Sequence, residues 1–162
     1  MKYLLPAMLA FGLPIIWLYS TVDLSASKPE SAQLLRVIDG DTVEIRMANR
    51  GEVRIRLSGV DAPERDQPYG SQSTRCLKEI MRGGDLNVRL KKKDRYDRWV
   101  GSLYIDGESV EVRLAEQGCA WWYSRYAPAN FAVAKGHYFA KFENRGLWAG
   151  DNPIPPWEWR RR

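Results

Sequence analysis

Two runs of strict alternation flank a short polar break, and together they dictate a β-hairpin. Val43, Ile45 and Met47 alternate with Thr42, Glu44 and Arg46, while Val53, Ile55 and Leu57 alternate with Arg54, Arg56 and Ser58. A period of two gives each strand one apolar face. Asn49-Arg50-Gly51 lies between them, so the second strand returns along the first. The sequence D-G-D at Asp39–Asp41 precedes the hairpin, and D-A-P-E at Asp61–Glu64 follows it. The far strand is therefore expected to deliver Asp61 close to Asp41, with Arg56 nearby.

Hard carboxylate oxygens converging beside a guanidinium suit a divalent cation and a phosphate better than they suit a packed core. Taken alone, D-G-D also reads as a plain turn, because Asp and Gly are common turn formers. An EF-hand loop is excluded. Its fifth and sixth positions would be Val43 and Glu44, where the loop needs a ligand and a glycine.

A chain of 162 residues has room for one domain with a real core. Its 25 basic and 20 acidic residues leave a formal charge of +5, which favours an anionic partner but is also an ordinary solubility device. Met1-Lys2 followed by the apolar run Tyr3 to Tyr19 has the shape of an export signal. Pro6 and Pro14 argue against a stable spanning helix, and an uncleaved membrane anchor is the alternative for residues 1–27. Cys76 and Cys119 could bond in an oxidising compartment, yet the apolar setting of each favours a buried free thiol. With His137 the sole histidine, no Cys or His metal spacing exists.

Along the chain, Asp23 to Ser31 reads as a polar tether, and Leu34 to Ile38 as the first strand before the hairpin. Ser71 is placed to cap a helix with the apolar stripe Cys76, Leu77, Ile80 and Met81, ended by Gly83-Gly84. Leu86 to Leu90 and Trp99 to Ile105 read as the fourth and fifth strands. Helices are expected from Ser109 to Gln117 and from Asn130 to Asn144, the latter with Phe131, Ala134, Tyr138 and Phe142 on one face. This order suits an α+β fold, a small five-stranded barrel with three helices packed on it. The tail at 151–162, with Pro153, Pro155 and Pro156, reads as an extended segment laid on the domain by Trp157 and Trp159. A nucleic-acid contact through Arg160, Arg161 and Arg162 is the alternative.

Between the fourth and fifth strands stands D-R-Y-D-R, Asp94 to Arg98. Alone it is a solvated turn, but beside the carboxylates it completes a set. Phosphodiester hydrolysis must neutralise charge on the non-bridging oxygens and orient a water in line with the leaving oxygen. One cation with two arginines does the first, and one carboxylate outside the metal shell does the second.

D-G-D-T-V, R-L-x-G-V-D-A-P-E, D-R-Y-D-R and the final G-L-W, in this order from about Leu34 to Trp148, resemble the thermonuclease family, the staphylococcal nuclease-like proteins. The resemblance implies an OB-fold barrel over a domain spanning 28–150. It also implies a calcium cofactor and hydrolysis of DNA and RNA to products ending in 3′-phosphates. By motif position it implies Asp41, Asp61 and the backbone carbonyl of Ala62 as metal ligands, with Asp39 supporting them. Glu64 would activate the water, Arg56 and Arg98 would hold the phosphate, and Arg95 and Tyr96 would contact a terminal phosphate. Asp97 stands where that family usually has glycine, and its charge is expected beside Arg98. Counting from Gly118 puts Ser124 at the family's nucleotide-stacking tyrosine, with Tyr123 and Tyr126 as substitutes. His137, where the family commonly has a buried glutamate, reads as a structural histidine.

The expected protein is an exported, periplasmic or secreted monomeric endonuclease favouring single-stranded substrates, with no protein partner, and with membrane contact only if residues 1–27 are retained. The rival from another class is a non-catalytic OB-fold module that binds single strands by stacking and charge. Retention of Glu64, Arg56 and Arg98 together favours the enzyme.

Overall fold

Five strands close on themselves in the computed structural model, which describes residues 28–162. The export or anchor segment at 1–27 lies outside the described residues. β1 (Glu30–Val37) pairs antiparallel with β2 (Thr42–Met47), which pairs antiparallel with β3 (Gly51–Leu57). After β4 (Val60–Asp61) and α1 (Gly70–Ile80), β5 (Leu86–Lys93) pairs antiparallel with both β1 and β6 (Trp99–Ile105). A parallel pairing of β3 with β6, Ile55 opposite Trp99, closes the barrel. β7 (Glu108–Ser109), α2 (Val110–Glu116), β8 (Trp121–Trp122) and α3 (Phe131–Phe142) follow, then a 3-10 turn at Gly146–Ala149 and α4 (Pro156–Trp159). This is the expected α+β, OB-type barrel.

The alternation seen in the sequence fills the interior. Val43, Ile45, Ile55, Val88 and Leu103 are all fully buried, and Val43 lies opposite Ile55 across the hairpin. Register shifts between Leu34 and Arg36, and between Leu90 and Lys92, bend the two long strands enough for closure.

Several local expectations are corrected. Glu30 and Ser31 are not tether but strand, paired with Val88 and Asn87. Ser71 does not cap α1. The cap position is Tyr69 at φ 73°, with no side-chain cap bond, because the chain doubles back tightly there. A Cβ on Gly70 would fall 1.9 Å from the Glu64 carbonyl oxygen, so only glycine allows the approach. On α3 the aromatic row faces outward, with Phe131 76 % and Phe142 81 % exposed, while Val133, Ala134, Gly136, His137 and Ala140 are buried. Small residues win this face because α2 approaches closely: a Cβ on Gly136 would lie 2.8 Å from Cγ of Glu116. In the tail, proline starts a helical turn instead of forbidding one. Pro156 occupies the first position of α4, where no amide donor is needed and its fixed φ fits.

The cysteines are likewise corrected from free thiols to a disulfide joining α1 to the segment after α2, Cα atoms 6.3 Å apart. Both sulfurs are buried because the bond itself sits in the core. Its loop spans a sequence separation of 43. Replacing both cysteines by alanine should therefore cost roughly 3–4 kcal/mol in denaturant melts, and an unchanged midpoint would show the bond is not formed.

Two buried titratable groups oppose each other. Glu111, fully buried on α2, accepts from Leu103 N and from Ser109 Oγ, and burial pushes its pKa up from 4.5 to about 7. His137 accepts from Trp122 N through Nδ1 and packs on Trp121 and Trp148, as a structural histidine does. Burial, with Lys141 nearby, lowers its pKa from 6.5 to about 4. Glu111 binds more proton in the folded state, so its contribution falls as pH rises from 4.5 to about 7. His137 binds less, so its contribution falls as pH drops from 6.5 to about 4. The two slopes offset each other between these limits. Glu111→Gln should stabilise the protein at pH 8 by roughly 2–3 kcal/mol. It should also steepen the loss of melting temperature below pH 6.5, the ordinary His137 value. A Glu111→Gln profile parallel to that of the wild type would contradict this account.

Candidate active site

The site begins where β2 and β3 lie side by side. Thr42 is opposite Arg56, so the residue before β2, Asp41, comes within reach of the Arg56 side chain. Arg56 Nη1 is 2.6 Å from Asp41 Oδ2, and Nη2 is 2.6 Å from Asp61 Oδ1. Nη1 also donates to the Val60 carbonyl oxygen at 3.2 Å, pinning β4 to the same guanidinium. Asp41 is held from two further sides, by Ala62 N at 2.8 Å and Thr42 Oγ1 at 3.1 Å. The predicted convergence of Asp41 and Asp61 is therefore present, with Arg56 as the clamp between them.

Gly40 makes this possible. A Cβ there would meet Ser73 Oγ at 2.2 Å and Ala62 Cβ at 2.6 Å, so the D-G-D loop packs against α1 and the Asp61–Ala62 segment only because residue 40 has no side chain. The plain-turn reading of D-G-D described half of its role.

Electrostatics follow from burial. Asp39, which accepts from Asp41 N at 3.1 Å, has its carboxyl pushed up by burial and then by the Asp41 charge. Asp61 is also pushed up, by burial first and by Asp41 as well. Burial opposes the charge on Arg56, but Asp41, Asp61 and Asp39 outweigh it and raise its pKa. Four carboxylates, Asp39, Asp41, Asp61 and Glu64, thus crowd one end of the barrel.

A cleft of about 1110 Å³ runs from this cluster past Glu64 to Arg95, Tyr96 and Arg98, and on to Tyr123 and Tyr126. Every residue expected from the sequence to act in catalysis, substrate binding or metal binding lines it. Arg98 is gripped by Asp94, with Nε 2.9 Å and Nη2 2.8 Å from Oδ2. Asp94 also accepts from Tyr96 N and Arg98 N, and these bonds and the Arg98 charge hold its pKa below the usual range despite some burial. Asp97 takes the left-handed conformation at φ 60°, as its place in a tight turn requires. Its charge does not reach Arg98 but pairs with Lys93 at 2.6 Å. The expected conflict is thereby corrected, because Asp94 occupies the bonding side of Arg98. Arg95 and Arg98 both lie over the exposed Tyr96 ring.

Of the two stacking candidates, Tyr126 is 68 % exposed, whereas Tyr123 is covered by Trp157, rings parallel within 4° and centroids 5.1 Å apart. Three residues of this region escaped the sequence reading. Asp94 reads in the sequence only as part of a turn, and nothing in the sequence marks Gln67. Arg160 was read as tail, yet its Nη2 lies 2.7 Å from Asp61 Oδ2 and its Nη1 2.5 Å from Glu64 Oε1.

Among the described residues, no three of His, Cys, Asp and Glu are grouped so as to hold a metal by themselves. What the site offers is two hard carboxylates a guanidinium's width apart. With Asp39 and Glu64 they make four negative charges against Arg56 and Arg160. Such an oxygen-only set fits a calcium-type ion that draws its remaining ligands from carbonyl, water and substrate oxygens.

Comparison with known proteins agrees. Residues 54–150 match the model of the family described as Staphylococcal nuclease homologue. An uncharacterized endonuclease of Escherichia coli O157:H7 is 40 % identical over 132 residues, 80 % of this chain and 84 % of that protein. A staphylococcal-like nuclease of Arabidopsis thaliana is 41 % identical over 108 residues, 67 % of this chain and 33 % of its own length. A micrococcal nuclease of Shigella flexneri is 29 % identical over 171 aligned positions, 99 % of this chain and 96 % of that protein. The chain belongs to the staphylococcal nuclease homologue family, and by that membership it is a nuclease.

Proposed function

We propose that the protein is a calcium-dependent endonuclease that hydrolyses DNA and RNA to products ending in 3′-phosphates. The observation that carries this reading is the pairing of Asp41 and Asp61 through Arg56 in the same cleft as Glu64 and Arg98. Calcium held by Asp41, Asp61 and the Ala62 carbonyl oxygen would supply positive charge against the non-bridging phosphate oxygens. Glu64, partly exposed, takes the proton from the attacking water. Its backbone is fixed for this work, since Glu64 N donates to Gln67 Oε1 at 3.1 Å and Gln67 N donates back to the Glu64 carbonyl.

Arg98, oriented by Asp94, forks onto two phosphate oxygens as charge develops. Arg56 helps hold the phosphate while it restrains the two aspartates, with Asp39 behind them. Arg95 and Tyr96 meet a terminal phosphate, and Tyr126 offers an exposed ring to a base, while the Tyr123 ring lies under Trp157. Base faces are open to stacking only in unpaired strands, which supports a single-strand preference. One cleft in one chain contains all of these groups, which supports action as a monomer. Export to an oxidising compartment is supported by the Cys76–Cys119 bond and by the apolar run near the N-terminus.

The deciding experiment is cleavage of single-stranded DNA with millimolar calcium, with chelator, and with Glu64→Gln. Products should require calcium and fall by roughly 100-fold or more in the variant, the usual contribution of a general base. Intact DNA under conditions where a control nuclease works would overturn the proposal. Asp94→Ala should also cut turnover by roughly 10- to 100-fold by freeing Arg98, whereas Asp97→Asn, which removes the charge and keeps the left-handed turn, should leave it within about twofold. Equal losses in the two variants would show that Asp94 does not orient Arg98.

A further inference from the structure

The last twelve residues lie outside the stretch matched by the family, yet they reach into the cleft. Three anchors hold them there. The buried Gln67 donates through Nε2 to the Ile154 carbonyl at 2.6 Å while its Oε1 accepts from Glu64 N, so one side chain ties the tail to the backbone of the water-activating residue. Trp157 stacks flat on Tyr123 and meets Trp121 edge-on at 5.6 Å. Arg160 spans Asp61, Nη1 donating to Oδ1 at 3.3 Å and Nη2 to Oδ2 at 2.7 Å, and the same Nη1 also donates to Glu64 Oε1.

These contacts oppose the chemistry of the cleft. With Arg56 and Arg160 both in place, each oxygen of Asp61 already accepts from a guanidinium. A divalent cation approaching that carboxylate would meet the charge of Arg160 at contact range. Glu64, paired with the same guanidinium, has one carboxylate oxygen already taken when a water approaches. Trp157 covers the ring face of Tyr123 that a nucleobase would use. The tail is also the more easily displaced partner. Arg160 is 41 % exposed, and a cavity of about 290 Å³ is lined jointly by residues 151–154 and by Pro63, Tyr69 and Trp121.

We propose that residues 151–162 form an autoinhibitory strap, in which Arg160 competes with the divalent cation for Asp61 and Glu64 while Trp157 competes with a base for Tyr123. Cation and substrate displace the strap together. This rests on the reading of Asp41 and Asp61 as the cation site, and calcium binding is therefore measured apart from cleavage.

Calcium titrations by calorimetry on the wild type, Arg160→Ala and Trp157→Ala should show both variants binding at least about tenfold more tightly, the range expected when two ligands compete through a shared group. Trp157→Ala keeps Arg160 but releases its anchor, so a shared gain identifies the strap as the cause. Limited trypsinolysis provides a second readout. Cleavage after Arg160 should be slow without added calcium and faster with it, because the guanidinium is held by Asp61 and Glu64 until the cation displaces it. Equal calcium affinity in all three proteins, or cleavage after Arg160 at the same rate with and without calcium, would overturn the strap even if DNA is cleaved. Absence of calcium binding in every protein would overturn the strap and the cation reading together.

Discussion

Three charges are buried where the chain could least easily hold them singly, and the Arg56 guanidinium is what makes them tolerable. Asp41 and Asp61 would repel each other at this separation, and each alone would be costly to remove from water. Arg56 bonds both, and adds the Val60 carbonyl. It thereby joins the start of β2, the end of β3 and the whole of β4. Deleting it would leave Asp41 without its guanidinium and Asp61 with that of Arg160 alone in the wall of the barrel. The same arrangement that stabilises the wall also assembles the acidic end of the cleft.

The barrel supplies what a lone hairpin lacks. Closure through the parallel β3–β6 pairing puts Val100 opposite Arg56, so the β5–β6 connection carrying Asp94 to Arg98 arches over the carboxylate end. Pairing of Asp61 with Trp121 on β8 brings the Tyr123–Tyr126 segment to the opposite wall. The helices serve this frame from behind. α1 packs its apolar stripe on the core, and the disulfide fixes it to the segment leading into β8.

Much of this was legible in the residues. The hairpin followed from alternation, because a period of two has one consequence for burial. The convergence of Asp41 with Asp61 followed from the hairpin, since antiparallel strands bring the entry to one beside the exit from the other. Pattern failed where two faces competed. α3 carries both an aromatic row and a small-residue row, and the small one is buried because α2 comes close enough to exclude large side chains. It failed again at Cys76 and Cys119, because burial and bonding leave the same apolar neighbourhood in sequence. Asp97 looked like the partner of Arg98 because it is adjacent, but the left-handed turn sends its carboxylate to Lys93.

The sequence by itself determined the fold class, the hairpin and the membership of the acidic and basic groups in one site, because these depend on local periodicity and on motifs whose members lie close along the chain. Only the tertiary structure decided which partners the charges take. Asp94 rather than Asp97 orients Arg98, and Gln67 ties the Glu64 backbone to the tail. Arg160, 99 positions from Asp61 along the chain, reaches the same carboxylate. Such long-range contacts leave no periodic trace, because they arise from how separately stable pieces pack and not from any pattern within one of them.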